Sequence, residues 1–243
     1  MRRLTLIALL TVVAFICLSF FSTNNAVTGN TLNDRTIATL HADSNNNSNY
    51  NLYHFLGLDS LGLGQKAYEL AVHGWEKLKE NGQISRTSIM TIADFSQPSA
   101  QKRLYVIDME SGKLLYNTYV AHGRNSGREL ATNYSNRPSS YQSSPGFYRT
   151  EDSYYGSNGY SLRLEGLEKG INDNADRRAI VVHGAPYVNE NFIRQQGYIG
   201  RSQGCPAIPV ELARPIINTI KGGSCLFIYA PVPTYAQRSR LIR

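Results

Sequence analysis

"AIVVHGA", residues Ala179–Ala185, is the stretch on which the fold turns. An apolar, β-branched run leads into a histidine and then a glycine, which reads as a buried strand with His183 at its exit. A histidine there has its backbone fixed and its ring free to face a cleft. Taken alone, such a residue is more often a hydrogen-bonded structural group than a catalytic one.

Other short runs repeat the strand signal. "RLYVID" and "LLYNTYVAHG" flank the turn "MESGK" and predict a hairpin, and "SPGFYRT", "YSLRLEG" and "SCLFIYAP" supply further strands. "PVELARPIINTIKGG" predicts a short helix bent near Pro215 and ended by Gly222. Upstream, Ala67, Leu70, Ala71, Trp75 and Leu78 recur at helical spacing before Gly82, which predicts an amphipathic helix over one side of the sheet. The fold class expected is mostly β (α+β), a sandwich or barrel with a few short helices and an N-terminal helical extension.

The 243 residues carry 42% hydrophobic and 18% charged side chains, as a globular protein does. The formal net charge of +7 fits any anionic partner. No recognition helix, zinc spacing or aromatic RNA-binding motif is present, so nucleic acid is not an expected partner. The start, "MRRLTLIALLTVVAFICLSFFSTNNA", has a positive end, an apolar run over residues 4–21 and then small polar residues. That order predicts export, either by a cleaved signal within residues 1–26 or with the apolar run retained as a membrane anchor. An Asn-rich spacer is expected over residues 27–53, a helical segment over 54–87, the main domain over 88–231 and a basic, disordered tail over 232–243.

Export bears on the cysteines. Cys17 lies in the apolar run, which leaves Cys205 and Cys225 in an oxidising compartment. They read either as one disulfide or as a reactive Cys205 beside an inert Cys225. The neighbours of Cys205 in "GRSQGCPAIP", Gly200–Pro209, favour the second reading. Gly204 allows a tight turn before the thiol and Pro206 fixes the chain after it. Backbone N–H groups of Gly204 and Cys205 are candidate oxyanion donors, His183 is the candidate base, and Ser202 is the candidate group to orient it.

"HGA" at His183–Ala185 followed by "GRSQGCPA" at Gly200–Ala207 resembles the signature of YkuD-type L,D-transpeptidases, a His-Gly followed after a loop by Ser-x-Gly-Cys. "VAHGRNSG", "SSPGFYRT" and the long block before His183 extend the resemblance over roughly residues 88–231. The sequence departs from the best-known members at Gln203, where they carry His, and at Pro206 and Ala207, which bears on the substrate pocket. The resemblance implies an L,D-transpeptidase-like β-fold in the cell envelope or periplasm. It implies Cys205 as nucleophile, His183 as base and acid, Ser202 and Gly204 in support, peptidoglycan stem peptides as partners, and release of D-alanine with 3→3 cross-links. Arg201, Arg124, His122 and Gly184 are the expected substrate-binding residues.

Two other outcomes share this sequence. Water in place of the acceptor amine makes the enzyme an L,D-carboxypeptidase, and an idle thiol leaves a cell-wall binding protein. Asp173 and Asp176 are expected to pair with Arg177 or Arg178. With no metal-ligand spacing in view, no cofactor is expected. Oligomeric state, acceptor identity and the role of Gln203 are open at this level.

Overall fold

The computed structural model describes residues 51–243. The expected signal or anchor, Cys17 and the Asn-rich spacer up to residue 50 lie outside the described residues. The last spacer residues do not stay free: residues 51–55 form a helical turn that buries Leu52 and Tyr53. Among the described residues no helix is long and apolar enough to cross a membrane.

Eight strands make one mixed sheet: β1 Arg86–Asp94, β2 Leu104–Asp108, β3 Lys113–Thr118, β4 Gly146–Gly156, β5 Gly159–Gly166, β6 Val181–Gly184, β7 Ala207–Ile208 and β8 Ser224–Tyr229. Their order is β3-β2-β1-β8-β4-β5-β6-β7. The expected hairpin is β2–β3, antiparallel, with Asp108 Oδ1 accepting the Glu110 and Ser111 N–H groups in its turn. Parallel pairing joins β1 to β8 and β6 to β7. Beyond β3 the chain bridges back to the far edge, at Ala121 with Ala207 and Gly123 with Ser202. The two edges of the sheet therefore meet, which removes open strand edges and gives a nearly closed, mostly β barrel.

Besides the helical turn at residues 51–55, the described residues include the helices α1 Gln65–Glu80, α2 Glu190–Gln196, α3 Val210–Ile220 and α4 Pro233–Arg238. Alternation along the strands feeds two cores. One gathers Val106, Tyr148, Leu164, Val182, Leu226 and Cys205 against Ile216 and Ile217 of α3. The other sets Met90, Ile92, Phe147 and Phe227 against Ala67, Ala71, Trp75 and Leu78 of α1. The helical segment and the sheet share that second core, so residue 88 is not an edge of the folded unit. Pro215 lies inside α3, and Gly222 just beyond its end takes φ +83°.

The tail corrects its expectation. Pro233–Arg238 is helical, and Tyr235 and Ser239 are buried. Their hydroxyls donate to the buried carboxylate of Glu168, which also accepts the Phe147 N–H at 2.8 Å. Composition reads this tail as solvated because its anchor comes from a carboxylate about seventy residues away.

Close packing of α1 on the sheet rests on Gly74, where a Cβ would come within 2.0 Å of the Phe147 ring. Phe147 is fully buried and stacks on Phe227 with ring centroids 4.2 Å apart, so it has nowhere to move. Helix propensity favours Gly74→Ala by about 1 kcal/mol, while forced overpacking costs about 1–3 kcal/mol. The packing term wins. Gly74→Ala is expected to lower the denaturation midpoint in guanidinium despite the better helix former.

Candidate active site

Parallel pairing of β6 with β7 builds the site. His183 pairs with Ala207 and Gly184 with Ile208, so stepping the register back two residues sets Cys205 beside Val181. Alternation then puts His183 and Cys205 on one face of the sheet. Both line a cavity of about 970 Å³. They are 6% and 8% exposed, reachable only through that cavity.

The thiol is held in a neutral resting state. Cys205 Sγ donates to the Ala179 carbonyl at 3.6 Å. Burial pushes its pKa up, while the Val181 N–H, the Arg178 guanidinium and its own N–H pull the other way. His183 Nδ1 donates to the Gly184 carbonyl at 3.0 Å, which fixes the tautomer and leaves Nε2 as a proton acceptor. Burial lowers the His183 pKa. A neutral imidazole and a neutral thiol share the cavity without a hydrogen bond between them.

The loop before Cys205 is wired differently from expectation. Ser202 Oγ donates to the Cys205 carbonyl at 2.6 Å and accepts the Gly204 N–H at 3.0 Å. Ser202 therefore braces the turn instead of orienting His183, whose partner is the Gly184 carbonyl. Gly204 cannot serve as an oxyanion donor while its N–H is held by that hydroxyl. Its glycine identity has a steric cause: φ is +126°, and a Cβ would lie 2.9 Å from the Gln142 carbonyl and 3.1 Å from Arg178 Nη2. Gly184 lines the cavity, and a Cβ there would press on Ala213 at 2.9 Å, so its small size admits α3.

His122 is not a substrate contact. It is fully buried, its Nδ1 accepts from Arg103 Nη2 at 2.7 Å, and its Nε2 faces the Gly127 carbonyl at 3.4 Å. Burial, then the Arg103 charge, pushes its pKa down to about 3. What reaches the site is backbone: the His122 carbonyl accepts from Ser202 N at 2.9 Å, and Arg124 N donates to the Ser202 carbonyl at 2.7 Å.

The expected arginines do line the cavity. Arg124 stacks on the Tyr141 ring at 4.1 Å, and Arg201 Nη1 donates to the carbonyls of Arg124 and Gly127. Sequence reasoning missed Arg178. Instead of pairing with Asp173 or Asp176, it donates to the Ser135 and Gln142 carbonyls and to the Ser140 and Ser144 hydroxyls, and its charge reaches Cys205. Its place three residues before β6, the His183 strand, was the available signal. Tyr187 was missed too. It lines the cavity with its pKa pushed up to about 12 by burial and then by Cys205. Cys225 sits fully buried on β8, in the other core cluster from Cys205, and both thiols are free.

Residues 60–229, well over half of the chain, match the model of the YkuD-type L,D-transpeptidase catalytic domain. The chain belongs to that family. Among curated proteins none matches. Solved structures similar to it include an L,D-transpeptidase from Mycobacterium smegmatis, at 14% identity over 59% of each chain and a TM-score of 0.37. Another is an L,D-transpeptidase from Mycobacterium tuberculosis H37Rv, at 17% identity over 59% of this chain and 58% of that one, with a TM-score of 0.36. A third is the helical cell shape determining protein Pgp2 from Campylobacter jejuni, a K307A mutant, at 14% identity over 65% and 55% of the chains and a TM-score of 0.40. The chain covers under two thirds of each of these structures.

Two measurements check this electrostatic picture of the L,D-transpeptidase domain. Arg178→Gln is expected to slow iodoacetamide labelling of Cys205 at pH 7.5 about tenfold and to move the labelling profile to higher pH. An unchanged profile would leave Arg178 as a loop brace only. His122 is neutral when folded down to about pH 3, but the unfolded chain protonates it below its ordinary value of 6.5. Between those values the unfolded state binds more protons, so stability falls as pH drops. Urea denaturation of His122→Gln at pH 7 and pH 4.5 should show a shallower loss on acidification than the unmutated protein.

Proposed function

We propose that the chain is an exported cysteine L,D-transpeptidase acting on peptidoglycan stem peptides. The observation that carries this is the β6–β7 pairing, which brings Cys205 and His183 to one cavity in a domain of this family. Export rests on the sequence of residues 1–26.

In this mechanism the Cys205 thiol leaves the Ala179 carbonyl and gives its proton to His183 Nε2. The thiolate attacks the carbonyl of the third stem residue, at its L-centre. The developing oxyanion takes the Cys205 N–H, the donor nearest the attacking sulfur, in place of the occupied Gly204 N–H. Collapse of the tetrahedral adduct breaks the bond to D-alanine, whose amine takes the proton from the imidazolium. A thioester remains on Cys205. The side-chain amine of a diaminopimelate on a second stem attacks it and loses its proton to His183. The departing Cys205 thiolate recovers that proton and a 3→3 cross-link is complete. Water in the same place gives a tripeptide, the carboxypeptidase outcome.

The separation and freedom of the two thiols weigh against a binding protein whose Cys205 is tied to Cys225. Mass spectrometry of muropeptides decides among the outcomes after incubation of tetrapeptide-rich peptidoglycan with the protein and with Cys205→Ala. Cross-linked dimers with release of D-alanine are expected from the unmutated chain alone. Tripeptides without dimers would reassign it as a carboxypeptidase, and no Cys205-dependent product would overturn the enzyme reading.

A further inference from the structure

The cavity holding Cys205 is charged on one side only. Arg124, Arg177, Arg178 and Arg201 line it, and no aspartate or glutamate does. Among the described residues the ion pairs are His54–Asp59, Arg149–Glu165 and Arg194–Glu190, so none of the four arginines has a carboxylate partner. Their commitments differ. Arg178 has both terminal nitrogens on carbonyls and hydroxyls of residues 135–144, and Arg201 has one nitrogen on two carbonyls. Arg124 sits with its guanidinium carbon 4.1 Å from the Tyr141 ring centroid, and among the described residues its guanidinium N–H groups have no hydrogen-bond acceptor. Arg177 is exposed to the cavity, and among the described residues its side chain makes no hydrogen bond.

A guanidinium fixed by stacking, with its donor edge free, suits a bidentate carboxylate. An unclaimed second guanidinium in the same cavity makes room for another. Resting on the stem-peptide reading above, we propose that the cleft selects stems by their free side-chain and α-carboxylates, with Arg124 and Arg177 each gripping one, and rejects stems in which those groups are amidated. An amide presents N–H donors where the arginines offer only donors, so it loses the charge-assisted pair and adds a donor–donor clash.

Binding can be measured apart from turnover. The test uses the full chain carrying Cys205→Ala, with Cys205→Ser as a second variant, titrated calorimetrically with two synthetic tetrapeptide stems. The stems differ only in whether the carboxylates off the main chain are free or amidated. Amidation is expected to weaken binding about 10- to 100-fold. Raising salt from about 50 to 300 mM is expected to weaken the free stem more than the amidated one, which keeps only its C-terminal carboxylate. Adding Arg177→Gln should shrink the gap between the two stems, because it removes one grip. Equal affinity for both stems, or free-stem binding indifferent to salt, would overturn the proposal. Its failure is separable from that of the enzyme reading. Equal cross-linking of both stems by the unmutated chain sinks carboxylate selection and leaves the transpeptidase standing. Salt-sensitive, amidation-sensitive binding without any turnover sinks the transpeptidase and leaves carboxylate selection standing.

Discussion

The buried guanidinium of Arg103 is the constraint on which the site depends. It is fully buried, with no carboxylate bonded to it among the described residues; burial lowers its pKa to about 9 against the pull of Tyr134 and Asp94, so it stays charged at neutral pH. Taking such a cation out of water costs several kcal/mol. The offset comes from the Val120 carbonyl, accepting at 3.1 and 2.9 Å, the Gln97 carbonyl at 2.7 Å and His122 Nδ1, with the Phe95 ring 4.7 Å below. Those partners fix the chain from Val120 to His122 after β3. Its neighbouring backbone closes the barrel through Ala121 on Ala207 and clamps Ser202 from both sides. Cys205 is placed, three residues on, by a cation that never touches it.

That dependence explains what was legible in the sequence. Strands such as "AIVVHGA" and "SCLFIYA" are local: β-branched runs bounded by glycine or proline state their own conformation, and the structure keeps both as β6 and β8. That His183 and Cys205 share one cavity was legible because each stands beside a glycine, His183 on β6 and Cys205 just before β7. Roles set by distant partners were not. His122 has the same His-Gly signature as His183, yet one ring is turned onto Arg103 and the other lines the cavity. Nothing within a few residues distinguishes them. Ser202 and Gly204 stand next to Cys205, but the hydroxyl of one and the N–H of the other, two residues apart, are satisfied within the turn, and no local pattern announces that. The tail followed the same rule, since Glu168 holds it from across the fold.

The resting site is quiet for a physical reason. Burial disfavours both thiolate and imidazolium, and it is the leading cause of the shift at each residue. Charge separation within the pair becomes favourable only when the thiol faces Nε2, a geometry the Ala179 carbonyl opposes by accepting its proton. Ala179 itself takes φ +51°, a region that β-bearing residues avoid. The strained backbone therefore presents the acceptor that holds the thiol neutral, and the same turn carries Arg178, which favours the thiolate. One short segment supplies both the brake and the activating charge.

Strain and charge are distributed together. Among the described residues the non-glycine positions with positive φ are Ser139, Tyr141 and Ala179, and all three line the cavity. Each such residue costs on the order of 1–3 kcal/mol and persists only where its surroundings over-determine it. Here the surroundings are arginines: Arg178 binds the Gln142 carbonyl beside Tyr141, and Arg124 stacks on the Tyr141 ring. Three strained residues and four arginines thus share the walls of one cavity, and the frame that places Cys205 and His183 is the one that gathers the positive charge.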